Sequence, residues 1–305
     1  MGRTLANNRV SAPTKLLRFS AGLVLVVGLL AFAFALLPGW IHTWGATDEE
    51  VARTMPGDEF LDSPTLTWTH GITIRAHPSE VWPWIAQIGD ERAGFYSYTF
   101  IENLIAQEDL YENANRIIPE FQNPQPGQGL ILDYLTVHSV EPGQYLLAQL
   151  ANVPDLGWTW IWHLYPSAEN ETRLVVRTKI QPGEELNNPL IAYVMDVGGF
   201  VMERRMMQGI KDRAEGNLEP ESIEVIEIAL WLLALAAGLA GAVLFVRKSA
   251  WPLPLLVATG AVLALLVFTF LQPPIWIRVV VDAALLGGLA VFVLANRLIP
   301  ADRLQ

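Results

Sequence analysis

Four long apolar segments constrain this chain more than any other feature of its sequence. They are residues 19–37, 228–246, 253–271 and 275–295. The first three contain no charged residue, and the fourth contains only Arg278 and Asp282. A helix of nineteen residues extends about 28 Å, which is close to the ~30 Å hydrocarbon core of a bilayer. Buried helices of soluble proteins keep a polar stripe that these segments lack, so the sequence predicts four transmembrane helices.

The first segment has an alternative interpretation as a secretory signal peptide. It follows a basic tail and contains small residues at Ala31, Ala33 and Ala35, a spacing that signal cleavage sites also show. Its apolar run is longer than the core of a usual signal peptide, which favours an uncleaved anchor. Either alternative places the following domain on the same side of the membrane.

Basic residues predict the orientation of the spans, because Lys and Arg concentrate on the cytoplasmic side. The tail of residues 1–18 carries four of them, and residues 296–305 carry two. The link between the second and third spans adds Arg247 and Lys248, whereas the link between the third and fourth has only Arg278. The sequence therefore predicts a multi-pass protein of the cell membrane, with both termini cytoplasmic and the domain of residues 38–221 extracytoplasmic.

The domain of residues 38–221 is strongly acidic. It contains 27 Asp and Glu against 11 Lys and Arg, a net charge of −16. Such a surface repels nucleic acids and anionic lipid headgroups, so we expect no nucleic-acid partner. The sequence does not predict a protein partner.

The sequence also argues against several kinds of chemistry. It contains no cysteine, which excludes disulfides, zinc–thiolate sites and cysteine nucleophiles. None of the five histidines has a second ligand at metal-binding spacing, and no phosphate-binding or dinucleotide-binding motif is present. We therefore expect neither a metal nor a cofactor, and no set of catalytic residues stands out.

Alternation and turns predict the first part of an α+β domain. Leu66, Trp68, His70 and Ile72 alternate with polar residues, as in a half-buried strand, and a helix is expected from Pro78. Residues 95–105 are predicted as a second helical stretch, and 113–129 as a loop. Residues 130–180 then read as antiparallel hairpins with one wet face, on which Arg173, Arg177 and Lys179 lie.

A long helix closes the domain. Asn188 is a suitable N-cap and Pro189 suits the first helical position, so the helix is predicted to run to about Ala214. Its apolar stripe is predicted to be Leu190, Tyr193, Val194, Val197, Phe200 and Val201. The stripe changes face near Gly198-Gly199. The helix is therefore expected either to bend or break there, or to pack its two halves against different structures.

This order of elements and the local sequence resemble the START-like (SRPBCC) superfamily, in its polyketide cyclase/dehydrase-like branch. Within that branch the sequence looks most like the membrane-anchored members. The segments that carry the resemblance are Ala46–Phe60, Ile72–Gly89, Gly94–Leu104, Asn113–Gln122 and Met202–Gly216. The Gly-Phe-Tyr-Ser-Tyr stretch that begins at Gly94 is the most specific of them. The resemblance implies a helix-grip fold, in which an antiparallel sheet wraps around the long helix and encloses a pocket for an apolar ligand.

Aromatic and methionine side chains are the candidate lining of that pocket, because they suit bulky and variable apolar ligands. They are Tyr96, Tyr98, Trp158, Trp160, Trp162, Met202 and Met206. Among the polar candidates for acid–base chemistry, a surface role is favoured for Glu102 and Arg177, and His163 alternates away from the tryptophans. In the fourth span, Arg278 and Asp282 are predicted to form an ion pair one helical turn apart.

Three functions are compatible with the sequence. The preferred one is a membrane-anchored domain that binds a lipid or another apolar small molecule beside the bilayer without catalysis. A cyclase or dehydratase type of enzyme is the first alternative, although it would need converging ionisable groups that the sequence does not reveal. A regulatory or structural module of a membrane assembly is the second.

Overall fold

The computed structural model of the chain describes residues 10–106, 112–131, 133–150, 156–181, 183, 188–218, 220 and 222–298. The chain divides into two compact units. The soluble unit is Leu36–Glu219, and the membrane unit combines Met1–Ala35 with Pro220–Gln305.

The helices are α1 (Ala12–Ile41), α2 (Asp48–Ala52), α3 (Pro78–Ala86), α4 (Thr99–Ala106), α5 (Pro189–Ala214), α6 (Ile223–Arg247), α7 (Pro252–Leu266) and α8 (Ile275–Leu298). The strands are β1 (Leu66–Ile74), β2 (Gly129–Ile131), β3 (Leu135–Glu141), β4 (Tyr145–Leu150), β5 (Gly157–Ala168) and β6 (Glu171–Gln181).

Among the described residues, four helices are long and apolar enough to cross a bilayer, as the sequence predicts. They are α1, α6, α7 with the π-helical turn Val267–Leu271 that continues it, and α8. The last residues of α1, from Leu36, belong to the soluble unit. Within the membrane unit, small residues allow α6 and α7 to approach closely, since a Cβ atom on Gly238 would lie 2.7 Å from the Cβ atom of Ala261.

The described residues of the soluble unit form an α+β structure with a six-stranded antiparallel sheet in the order β1-β6-β5-β4-β3-β2. Thr178 of β6 lies between Trp68 of β1 and Trp160 of β5 in the register of these strands. Side chains of a strand alternate between the two faces of a sheet, so these three residues point to one face. That inner face packs against α3 and α5 around one large hydrophobic core.

The predicted helix boundaries hold for α5 and shift for α4. Asn188 caps α5, because its side-chain oxygen accepts a hydrogen bond from the N–H group of Leu190 at 2.8 Å. The second predicted helical stretch begins at Thr99 rather than at Phe95. Tyr96 has a φ of 58°, a left-handed conformation that an α-helix cannot contain.

The helix α5 neither breaks at Gly198-Gly199 nor buries the whole predicted apolar stripe. Leu190 and Val194 are 70% and 60% exposed, and that part of the prediction is wrong. The buried residues of α5 instead include the charged Asp196 and Glu203. Hydrogen-bond donors on the sheet make their burial possible, because a buried carboxylate needs such partners.

The outer face of the sheet is covered rather than wet where β6 carries its basic residues. Residues 45–61 lie over it, with α2 and a 3-10 turn at Asp58–Phe60. Arg177 is buried, and its guanidinium donates to the Asp58 carboxylate and to backbone carbonyls of residues 50–53. Arg173 pairs in the same way with Glu50 at 2.7 Å. The surface role predicted for Arg177 is therefore wrong, because acidic residues far away in sequence neutralise it.

Candidate functional site

Two carboxylates of α5 face the inner side of the sheet. Asp196 and Glu203 are seven residues apart, which places them on the same side of a helix two turns apart. They are 5% and 4% exposed. Each accepts hydrogen bonds from one tryptophan indole and one histidine imidazole, so the arrangement of partners is repeated along the helix.

Glu203 joins three neighbouring strands through its carboxylate. Its Oε2 atom accepts from Trp160 Nε1 at 2.9 Å and from Thr178 Oγ1 at 2.6 Å, on β5 and β6. Its Oε1 atom lies 2.5 Å from His70 Nδ1 on β1. The other ring nitrogen of His70 lies 2.6 Å from the carbonyl oxygen of Ile41, so Nε2 must carry a proton. One further proton therefore lies between Nδ1 and Oε1, and the pair is a buried ion pair or its proton-shared equivalent.

Asp196 repeats this pattern nearer the start of α5. Its Oδ1 atom accepts from Trp68 Nε1 at 2.6 Å and lies 2.9 Å from His42 Nε2. Gly199 allows the contact, because a Cβ atom at that position would come within 2.5 Å of the Trp68 ring. His42 differs from His70 in that about a third of its side chain is exposed.

Residues 40–44 complete this region at the edge of β1. The N–H groups of Thr69 and Gly71 donate to the carbonyl oxygens of His42 and Trp44, so the chain after α1 pairs with the edge strand. The Arg204 guanidinium lies 4.6 Å from the centre of the Trp44 ring. Burial lowers the pKa of Arg204 to about 10, and the aromatic face partly compensates the lost hydration of its charge.

A cavity of about 280 Å³ lies on the outer side of the sheet. Its walls include His42, threonine hydroxyls, three basic side chains and Asp58. Asp58 already forms ion pairs with Arg177 at 2.7 Å and Lys179 at 2.9 Å. The cavity can therefore admit a small polar molecule, but Asp58, Arg177 and Lys179 are held by one another, and the Arg53 guanidinium lies 4.6 Å from the centre of the Tyr165 ring.

Most of the residues predicted to line an apolar pocket lie close together in the main hydrophobic core. Tyr96, Trp160, Trp162 and Met206 are buried in the main core, and Trp158 packs against it while remaining partly exposed. Neighbouring ring centres are 6.3 Å apart for Trp158 and Trp160 and 5.0 Å apart for Trp160 and Trp162. The predicted strand face is therefore a continuous row of three indoles.

Tyr98 and Met202 lie outside the core cluster. The loop before α4 contacts α5 at this point, where the Ser97 hydroxyl donates to the Met202 carbonyl oxygen at 3.1 Å. The Tyr98 ring centre lies 5.6 Å from the Arg205 guanidinium. These two residues therefore lie along α5 beside the core rather than within it.

The hydroxyl group of Tyr96 is engaged by protein groups. It accepts from Gln87 Nε2 at 2.8 Å and donates to the Trp84 carbonyl oxygen at 3.2 Å. Burial raises the pKa of Tyr96 well above its usual value, so the phenol stays neutral. Its role in this structure is to join α3 to the loop that precedes α4.

The outer two indoles of the tryptophan row differ from the middle one. Trp160 donates to Glu203, whereas the Nε1 atoms of Trp158 and Trp162 are buried and have no hydrogen-bond acceptor among the residues that the structure describes. Buried donors are almost always paired, so two unpaired indole N–H groups on one face require a physical explanation. A bound molecule that accepts a hydrogen bond would provide it.

The carboxylates and histidines of this region were not among the predicted site residues. The spacing of Asp196 and Glu203 on α5, and the position of His70 two residues after Trp68 on one strand face, are the signals that could have indicated them. His163 lies on the opposite face, stacked at 4.0 Å on Tyr165, as the alternation predicts.

Comparisons with known proteins add a distant structural likeness. Neither a protein-family model nor a curated protein matches the chain. A solved structure of a conserved protein of unknown function from Enterococcus faecalis is similar over 53% of this chain and 80% of its own, with 15% identity and a TM-score of 0.29.

Proposed function

We propose that the soluble unit is a membrane-tethered domain of START-like type that binds an apolar small molecule with a neutral hydrogen-bond acceptor. The order of its elements supports a helix-grip arrangement, with two helices after β1 and a long helix after β6 that packs on the sheet. The observation that carries the proposal is the pair of unpartnered indole N–H groups of Trp158 and Trp162. The binding role includes no catalytic step.

The chemistry of the ligand follows from its surroundings. An unpaired buried donor costs about 1–3 kcal/mol, and a carbonyl, ester or hydroxyl oxygen of a ligand would remove that cost. The core around these two indoles is mainly aromatic and aliphatic, which suits a hydrocarbon body, and the polar groups of the same face are already paired with Asp196 and Glu203. The domain carries a net charge of −16, which disfavours an anionic ligand and favours a neutral one.

The membrane is the proposed source of the ligand. Apolar side chains are exposed on the first half of α5 and on α4, and an apolar ligand could enter the soluble unit along them. They include Leu190, Val194, Phe100 and Leu104. Candidate spans flank the domain in the sequence on both sides. The anchored domain is therefore proposed to exchange its ligand with lipid without releasing it into water.

The orientation predicted from the basic residues belongs to the same proposal. In the membrane unit, the Arg18 side chain near the start of α1 donates to the carbonyl oxygens of Phe245 and Lys248 at the end of α6. The start of α1 and the end of α6 therefore lie on the same side of this unit. That arrangement supports a common side for the two basic segments, the N-terminal tail and the link after α6, and we propose that this side is cytoplasmic.

The test uses the full-length protein in mild detergent and in nanodiscs. Mass spectrometry of the extracted protein should identify a retained neutral lipid. Titration with brominated analogues of a fatty alcohol, a fatty acyl methyl ester and an isoprenoid alcohol should then quench tryptophan fluorescence saturably. Trp162→Phe removes the N–H group and keeps most of the ring, and it should weaken binding about fivefold, the equivalent of ~1 kcal/mol.

A matched control separates the indole donor from general effects on packing. Trp82 belongs to the same core but lies on α3, so Trp82→Phe should leave the affinity unchanged. A brominated fatty acid should bind more weakly than its methyl ester, because its carboxylate enters an acidic domain. Absence of saturable binding by the folded protein, or equal losses in Trp162→Phe and Trp82→Phe, would contradict the proposal.

A further inference from the structure

An ion pair links two helices of the membrane unit. Arg278 on α8 lies 2.8 Å from Glu227 on α6, and both side chains are buried. The Nε group of Arg278 also donates to the Pro273 carbonyl oxygen at 2.9 Å. The predicted pair between Arg278 and Asp282 is therefore wrong, because an acid on another helix occupies the guanidinium.

This pairing leaves Asp282 without a partner. Asp282 is 2% exposed, and neither of its carboxylate oxygens has a hydrogen-bond partner among the residues that the structure describes. It lies one helical turn after Arg278, about 10 Å along α8 from the first residue of that helix. A carboxyl group at this position is buried among apolar helices rather than placed at their ends.

The charges around Asp282 are few. The helix α7, which packs against both α6 and α8, has no titratable residue. On α6 the ionisable residues are Glu224, Glu227 and Arg247, and Arg247 lies at the opposite end of that helix. On α8 the only described ionisable residues before its last turn are Arg278 and Asp282. The described residues of these helices therefore set two buried carboxyl groups, Glu227 and Asp282, against a single buried guanidinium, which is paired with Glu227.

We propose that Glu227, Arg278 and Asp282 form an intramembrane site that binds one proton, which resides on Asp282 while Arg278 pairs with Glu227. Ionisation of both acids would leave one uncompensated negative charge in an apolar interior, and such groups are neutralised instead. A single proton makes the trio neutral. Intramembrane carboxyl groups that hold protons in this way are typical of functional sites rather than of passive anchors.

The position of Arg278 gives the site a second state. Residues four apart on a helix are neighbours, so the guanidinium can reach Asp282 as well as Glu227. If the Arg278 guanidinium moved to Asp282, the proton would have to move to Glu227. The ion pair that joins α8 to α6 would then be broken. Proton exchange at this site is therefore coupled to the contact between two spans.

Infrared spectroscopy of the full-length protein in nanodiscs tests the inference directly. The carbonyl stretch of a protonated carboxylic acid in an apolar environment should be present in the wild type at neutral pH. It should be lost in Asp282→Asn. It should also be lost in Glu227→Gln, because the released Arg278 then pairs with an ionised Asp282. The control Glu224→Gln, one turn earlier on α6, should keep the band.

Labelling by a hydrophobic carbodiimide, which modifies protonated carboxyl groups, gives a second measurement. Peptide mass spectrometry should find Asp282 modified and Glu227 unmodified in the wild type. An unchanged infrared band in Asp282→Asn would overturn the inference, and so would modification of Glu227 in preference to Asp282. A band that persists in Glu227→Gln would overturn the sharing of Arg278 between the two acids.

Discussion

His70 Nδ1 lies 2.5 Å from Glu203 Oε1 in the interior of the soluble unit, and the opposite nitrogen of the same ring lies 2.6 Å from the carbonyl oxygen of Ile41. One imidazole thus connects the end of α1, the edge strand β1 and the middle of α5. Glu203 also accepts hydrogen bonds from Trp160 on β5 and Thr178 on β6. Its carboxylate therefore connects α5 to three strands of the sheet.

Glu203→Gln should destabilise the soluble unit by about 3 kcal/mol or more. A glutamine has one acceptor oxygen for three donors, and its amide N–H groups would face the donors that remain. Urea unfolding of the full-length protein, followed by tryptophan fluorescence, measures the loss. Glu120→Gln, at an exposed position, should change the free energy of unfolding by less than ~0.5 kcal/mol. Similar stabilities of the two variants would show that Glu203 does not hold the strands together.

Local physics made part of this fold predictable from the sequence. The cap at Asn188, the proline at the first helical position and the alternation of β1 are signals that act within a few residues. The four candidate spans follow from length and hydropathy alone. These predictions required no knowledge of which residues meet in space.

Long-range partners explain what the sequence did not reveal. The sequence of α5 indicates no partner for Asp196 or Glu203, because their partners lie on strands and loops up to 154 residues away. Alternation along β6 predicts a wet face for Arg177, because Asp58, 119 residues earlier, covers it only in the folded chain. Alternation along β5 was enough to predict the row of three indoles. It does not show which indole N–H group has an acceptor, because that depends on the position of Glu203 beside Trp160.

The ion pairs on the outer face should make stability depend on pH. A hydrogen bond from Arg173 is the main cause that lowers the pKa of Glu50 below its ordinary value of 4.5, although burial opposes it. Burial alone would raise the pKa of Asp58, but the Met55 N–H group, Lys179 and Arg177 together lower it below 3.8.

The direction in which stability changes with pH follows from these lowered pKa values. The unfolded chain binds protons on these acids at a higher pH than the folded chain does, so their contribution is fully present above about pH 5. It is lost as the pH falls through the folded pKa values. Urea midpoints measured between pH 7 and pH 3 should fall less steeply in Asp58→Asn, which should also be less stable at pH 7. The exposed control Asp62→Asn should follow the wild type, and an unchanged slope in Asp58→Asn would contradict the assignment.

The proposed orientation predicts opposite locations for two reporters. A reporter inserted at the exposed Asn123 should be extracytoplasmic, and one fused after the last residue should be cytoplasmic. Paired alkaline phosphatase and fluorescent protein fusions distinguish the two sides. Cytoplasmic signals from both positions would refute the orientation.

The two adjacent glycines of α5 should respond in opposite directions to the same substitution. A Cβ atom on Gly199 would meet the Trp68 ring at 2.5 Å, and that ring is fixed because its N–H group donates to Asp196 at 2.6 Å. Gly199→Ala should therefore cost about 1–3 kcal/mol in the free energy of unfolding. A Cβ atom on Gly198 would meet nothing within 4 Å, so Gly198→Ala should stabilise the helix by ~0.5–1 kcal/mol. Urea unfolding of both variants measures the difference, and equal stability of the two would show that Trp68 does not pack against α5 at Gly199.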